Sequence, residues 1–238
     1  MRYSRPHMID PSSIQAISLD LDDTLWPIGP IMVRAEAVLQ QFLREHAQAT
    51  ATLCKEPGAL LRIRQQLQAE RPEWSHDLSA LRRESIRRAL HQAGDDTALA
   101  EPAFEAFFAA RHQVDLYDDA HETLSFLSAR YPLVALSNGN ADVHRVGLGT
   151  YFHAAVSAQA FGVAKPDPRI FHEAAARVGV PTQAVLHIGD DAHLDVVGAR
   201  EAGMQCVWIN RGDHAWPHDS APPLTLVRLR DLIDHLGP

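Results

Sequence analysis

The feature that most constrains this chain is a break in its rhythm. A short apolar run, Ile14–Leu21, has the length and character of a buried strand, and a cluster of acids, Asp20, Asp22 and Asp23, closes it. Pro27, Gly29 and Pro30 then read as a break in the chain. From about residue 31 to 113 the apolar residues fall at helical spacing instead. Val38, Leu39, Phe42 and Leu43 make one stripe. Leu60, Leu61, Ile63 and Leu67 make a second, with Pro57 suited to its first turn and Pro72 beyond its end. Leu78, Leu81, Ile86, Ala89 and Leu90 make a third, stopped by Gly94. Leu99, Phe104, Phe107 and Phe108 make a fourth, with Pro102 near its start.

From residue 114 strands and helices alternate. A helix around Leu124 and Leu127 precedes a strand at Leu133–Ser137. A strand at Ala154–Ser157 leads to a helix near Pro168–Val178. A strand at Ala184–Gly189, a helix near Leu194–Ala202 and a strand at Gln205–Ile209 complete the series. This alternation predicts an α/β fold, a doubly wound, Rossmann-like parallel sheet with helices on both faces. The core takes residues 1–27 and 114–238, and 28–113 form an inserted α-helical domain. A chain of 238 residues is long enough for both.

Composition narrows the class. No apolar run reaches the roughly 18 residues of a membrane span, and the basic start, Met1–His7, is followed by no continuous apolar stretch. Two cysteines, Cys54 and Cys206, make no disulfide framework, so a soluble cytoplasmic protein is expected. A net charge of −8 argues against a nucleic-acid binder but leaves room for a small phosphorylated ligand, provided a metal ion and a cation or two reverse the sign locally.

In a sheet of this kind ligands sit beyond the carboxyl ends of the strands. There the sequence places Asp20-Leu21-Asp22-Asp23-Thr24, Ser137-Asn138-Gly139-Asn140, Lys165-Pro166-Asp167-Pro168 and Gly189-Asp190-Asp191 with Asp195. Each alone has an ordinary reading as an acidic turn, an Asn-Gly turn, a loop cation or a capped helix start. Together they offer carboxylates for a hard divalent cation and donors for phosphate oxygens. Lys165 is one of only two lysines, Lys55 being the other.

These four segments resemble the signature motifs of the haloacid-dehalogenase-like (HAD) hydrolase superfamily, and the helical insertion resembles its α-helical cap. A further stretch, Glu70-Arg71-Pro72-Glu73-Trp74-Ser75-His76-Asp77 with Arg82-Arg83-Glu84-Ser85-Ile86, is similar to the cap of bacterial flavin mononucleotide phosphatases, which also act on the ribitylaminouracil phosphate of riboflavin synthesis. The segment His187-Ile188-Gly189-Asp190-Asp191, with Gly203-Met204-Gln205 and Trp208-Ile209, fits that likeness too.

The resemblance implies a Mg²⁺-dependent phosphatase acting on a small phosphorylated metabolite. Asp20 is then the nucleophile that forms an aspartyl-phosphate, and Asp22 the general acid and base. Ser137, Asn138 and Lys165 bind the phosphoryl oxygens. Mg²⁺ is held by Asp20, the Asp22 carbonyl and Asp190, with Asp191 and Asp195 as further candidates. Trp74, His76, Arg82 and Arg83 are the candidates for substrate specificity, the arginines having the alternative reading of a solvated helix face. A phosphosugar phosphatase or phosphomutase needs the same residues. A 2-haloacid dehalogenase has no use for an acid at Asp22, and a non-catalytic binding protein has no use for the full set. The fourteen histidines include no pair with a convincing zinc spacing.

Overall fold

The computed structural model describes residues 9–56 and 58–237. Pro57 and the basic start Met1–His7 lie outside the described residues. The chain divides into two compact units, one built from the segments that end at Pro27 and resume at Asp115, the other from Ile28–Val114. No described helix is long and apolar enough to cross a membrane.

The first strand, β1 (Ala16–Leu19), is buried along its whole length. Its ladder bonding runs slightly further: the Gln15 amide donates to the Ala184 carbonyl at 2.8 Å, and the Asp20 amide to the Ile188 carbonyl at 2.9 Å. The regular strand is therefore shorter than the apolar run Ile14–Leu21.

The helical unit contains α1 (Ile28–His46), α2 (Gln48–Leu53), α3 (Ala59–Glu70), α4 (Leu78–Ala93) and α5 (Ala100–Arg111). Gly29 and Pro30 were expected to break the chain, yet they lie in the first turn of α1. A proline is tolerated there because the first amides of a helix have no intrahelical partner. α4 is bounded as its sequence suggests: the Asp77 carboxylate accepts the Ala80 amide at 2.8 Å, and Gly94, at φ 79°, closes it in the left-handed region. Leu39 and Leu43 of α1, Ile86 and Leu90 of α4, and Phe104 and Phe107 of α5 form one buried cluster. A smaller cluster joins Ile63 and Leu67 of α3 to Leu81 and Ala89 of α4.

The other unit continues with α6 (Ala120–Ser128), β2 (Leu133–Ser137), β3 (Ala154–Ser157), α7 (Ala158–Phe161), α8 (Pro168–Arg177) and β4 (Val185–Gly189). A π-helical turn, Ala192–Val197, runs into α9 (Gly198–Glu201) where one helix was expected. Then come β5 (Gln205–Ile209), β6 (Leu224–Leu226) and α10 (Leu232–Leu236). The six strands lie in the order β3-β2-β1-β4-β5-β6, each pair parallel. From β1 the sheet grows one way through β2 and β3, and the other way from β4. The carboxyl end of β1, flanked by those of β2 and β4, is thus the switch point where such sheets bind ligands. Register puts Ser18 directly beside His187. Alternation then aims Ala16, Ser18 and Asp20 at one face, the face on which Phe171 and Ala174 of α8 and Ala199 of α9 cover Val185 of β4.

Candidate active site

Asp20 follows β1 directly and is nearly buried. Burial pushes its carboxyl well above the usual carboxylate range, against the pull of Lys165 and with added repulsion from Asp195 and Asp190. The Lys165 ammonium sits 2.5 Å from Asp20 Oδ1 and 2.6 Å from Asp195 Oδ1. Burial pulls toward the neutral amine; Asp195 and Asp20 outweigh it and hold the lysine charged. The same cation, with His187, overcomes burial at Asp195 and keeps that carboxyl well below its ordinary value.

Asp190 follows β4. Burial first, then Asp195 and Asp23, push its carboxyl up to about 7. The Thr24 hydroxyl lies between the two strand ends, 3.5 Å from Asp20 Oδ2 and 3.4 Å from Asp190 Oδ1. Carboxylate oxygens of Asp20, Asp190 and Asp195 come within 4.8 Å of one another. Two acids raised by burial and mutual repulsion, offering only oxygen donors, make a set that a hard divalent cation would relieve, and the residues fit such an ion.

The acids divide by role. Asp195 already spends both oxygens on protein donors: Oδ1 on Lys165 and on His187 Nε2 at 3.1 Å, Oδ2 on the Asp191 amide at 3.0 Å. About one lone-pair direction of roughly four remains, so Asp195 is first a brace for Lys165. Asp191 stands outside the acidic trio; its Oδ1 caps the following turn, accepting the His193 and Leu194 amides at 2.8 and 2.7 Å. That leaves Asp20 and Asp190 as the principal carboxylates for a cation.

Asp22 lies in a tight loop fastened by the Leu25 amide on the Leu21 carbonyl and the Asp23 amide on the Trp26 carbonyl. Its Oδ1 accepts the indole N–H of the buried Trp26 at 2.8 Å, which fixes the direction of the carboxyl. Asp23 occupies the left-handed region at φ 59°, where Asp is among the better-tolerated residues.

At the end of β2 the Ser137 Oγ accepts the Gly139 amide at 2.9 Å, leaving its own proton to donate. Asn138 turns its side chain to Lys165. Its amide is spent on the Lys165 backbone, Nδ2 donating to the carbonyl at 2.9 Å and Oδ1 accepting the N–H at 2.7 Å. These two bonds place the lysine and leave Nδ2 one further proton.

Sequence reasoning gave no individual role to Ser18, His187, Trp26 or Arg211. The Arg211 guanidinium donates to both Asp119 oxygens at 3.0 and 3.3 Å and to the Thr24 carbonyl at 3.2 Å, and it stacks on Tyr117 at 3.8 Å. It pins the loop that carries Asp22. Only the contacts reveal this, because Thr24 and Arg211 are far apart in sequence.

Within the helical unit, Trp74 and His76 are half-buried. Arg82 is buried, paired with Glu36 at 2.6 Å and stacked on Phe107 at 3.8 Å. Arg83 pairs with Glu101 at 3.1 Å and covers Phe104 at 3.9 Å. Neither arginine lies on a simple solvated face.

A sequence profile of the haloacid dehalogenase-like hydrolases matches residues 14–203. The chain belongs to that family. It is 35% identical over 240 residues, 98% of each chain, to the 5-amino-6-(5-phospho-D-ribitylamino)uracil phosphatase YigB of Escherichia coli. It is 34% identical to the phosphoserine phosphatase of Thermus thermophilus over 154 residues, 62% of each chain. Among solved structures, one described as a 2-haloacid dehalogenase from Pseudomonas syringae pv. Tomato DC3000 superposes with a TM-score of 0.88 at 40% identity, covering 94% of this chain and 98% of that one. The HAD phosphatase of Thermococcus onnurineus shares the fold at a TM-score of 0.68 and 22% identity, with 94% and 98% covered. This chain is therefore an enzyme, a HAD-like hydrolase; in it Asp20, Ser137 and Asp190 stand at the ends of β1, β2 and β4, and Lys165 reaches Asp20 from the loop before α8.

Proposed function

We propose that this HAD-like hydrolase is a Mg²⁺-dependent phosphatase that works through an aspartyl-phosphate on Asp20. The observation that carries the reading is the Asp20 carboxylate held 2.5 Å from a buried lysine and within 4.8 Å of Asp190. An anion at the centre of a sheet is poised for a phosphate only if cations offset its repulsion. Lys165 supplies one positive charge; Asp20 and Asp190, with the Asp22 carbonyl, would hold the metal, which supplies charge neutralisation when bound.

Asp20 attacks phosphorus and the bond to the leaving oxygen breaks, Asp22 giving its proton to that oxygen. A water then attacks phosphorus, Asp22 takes the water's proton, and the Asp20 carboxylate is restored. The Ser137 hydroxyl and Lys165 hold the phosphoryl oxygens, and Asn138 keeps Lys165 in place. The proposed substrate is a small phosphorylated metabolite of the cytoplasm. The full-length likeness to YigB favours the ribitylaminouracil phosphate, with flavin mononucleotide beside it. Trp74 and His76 are the helical-unit residues proposed to discriminate among substrates.

A panel of that phosphate, flavin mononucleotide, phosphoserine, phosphoglycolate and hexose phosphates, each with and without chelator, tests this reading. Preference for the first two and loss of turnover in chelator support it; a hexose phosphate preferred over both would remove the flavin-type substrate.

The 40% identical structure described as a dehalogenase favours a second reading. The Asp22 carboxyl, oriented by Trp26, argues against it, because a departing halide needs no proton. Turnover of 2-haloacids in chelator, with no phosphatase activity, would make the second reading the right one.

A further inference from the structure

His187 lies in the middle of β4, fully buried, with Phe171 of α8 set edge-on to its ring at 5.1 Å. An aliphatic residue would fill that place without burying polar atoms. Instead both ring nitrogens are engaged. Nδ1 lies 2.8 Å from the Ser18 hydroxyl, the neighbour that strand register puts beside it, and Nε2 lies 3.1 Å from Asp195 Oδ1. The Asp195 oxygen also takes the Lys165 ammonium, whose other partner is Asp20. A single file of hydrogen bonds thus runs through the core: Ser18, His187, Asp195, Lys165, Asp20.

The chemistry of the partners fixes the direction of each bond. An ionised Asp195 only accepts, so His187 must present its proton on Nε2. Nδ1 is then an acceptor, and Ser18 donates to it. Lysine needs such bracing more than arginine would, since its ammonium is a point charge on a flexible stem with three rotatable donors. With His187 on Oδ1 and the Asp191 amide on Oδ2, the Asp195 carboxylate cannot swing, and the lysine it holds cannot wander.

We infer that His187, its proton fixed on Nε2 by Asp195 and its ring steadied by Ser18, is a positioning residue that locks Asp195 and through it aims Lys165 at the phosphoryl group on Asp20. The inference rests on the proposed phosphatase reaction. Its effect belongs to the chemical step, because misplacing the cation weakens its grip on charge that develops in the transition state.

The experiment measures kcat, KM and Tm for Ser18→Ala, His187→Leu, His187→Gln and the Ser18→Ala/His187→Leu double variant. It also reads the ring tautomer of His187 by nitrogen NMR in the wild-type protein without substrate. His187→Leu should lower kcat about tenfold to a hundredfold, the range seen when outer partners of a site are removed, with little change in KM. His187→Gln, which keeps an N–H for Asp195, should recover most of that loss. Ser18→Ala should lower kcat alone but add nothing in the His187→Leu background, because its effect passes through the imidazole.

A merely structural role would lower Tm in every variant and leave kcat per folded molecule unchanged. That result overturns the inference, as do independent, multiplying losses in the double variant or a ring carrying its proton on Nδ1. If His187→Leu does not fold, Ser18→Ala and His187→Gln decide the matter. If the wild-type protein hydrolyses no phosphomonoester, the reaction reading fails, while the tautomer still reports whether His187 donates to Asp195.

Discussion

Gly189 shows how tightly the site is built. A Cβ there would lie 2.2 Å from Asp195 Cγ, so the carboxylate that braces Lys165 rests on the one residue without a side chain. Gly189→Ala should displace Asp195 and cut turnover about a hundredfold, the usual cost of misplacing a catalytic group by an ångström. Steady-state kinetics beside a far-ultraviolet spectrum will show whether the fold survives while the rate falls. Asp20→Asn should abolish turnover with the fold intact. Asp22→Asn should cost about 10²–10⁴-fold in kcat, the ordinary worth of a positioned acid and base, and least for substrates with good leaving groups. Asp20 and Asp190 could be singled out in the sequence because each closes an apolar run, where an acid is costly without a purpose. The role of Asn138 could not be, because its partner is a backbone 27 residues away. Ser18 and His187 were hidden for a related reason: a polar residue in a buried strand means little until the register of its neighbour is known.

At the scale of elements, the periodic stretches were readable, and the short ones only in part. β2, β3 and β5 appear with the bounds their sequences suggest. α2, only six residues of Gln, Ala, Thr and Leu, shows no stripe to read, and it is held from outside by the Asp95 carboxylate on the Thr50 amide and hydroxyl, each at 2.7 Å. β6 could only be left open at Leu224–Val227, because three residues carry too little alternation to decide. Within the helical unit, Leu39→Ala should cost about 2–5 kcal/mol by opening a cavity in its main cluster, read from denaturant midpoints. Arg82→Ala removes both the stacking on Phe107 and the partner of Glu36; with Glu36 partly in solvent the cost should be about 1–3 kcal/mol. The loss should appear in Tm and leave KM unmoved. A raised KM at unchanged Tm would instead make Arg82 a substrate contact.

Across the whole molecule the fold class followed from the change of rhythm along the chain, whereas the order of the outer strands depended on packing that no local pattern encodes. Burial pushes the Cys54 and Cys206 thiols from their ordinary 9 up to about 11. The folded protein therefore binds those protons more tightly than the unfolded chain. The stability this gives is fully present below about pH 9 and is lost as pH rises toward 11. Alkylation should accordingly be slow at pH 8 and quicken steeply above pH 9 or in denaturant. A divalent cation that binds only the folded acids should raise Tm in proportion to the logarithm of its concentration, and Asp190→Asn should abolish that rise. Covalent chemistry at one carboxylate is the centre of the proposed reaction, and a rapid acid quench during turnover of a phosphomonoester radiolabelled in its phosphoryl group tests it directly. The expected result is label on the peptide that carries Asp20, absent in Asp20→Asn. Sustained turnover with no label on that peptide, and with Asp20→Asn still active, would contradict it.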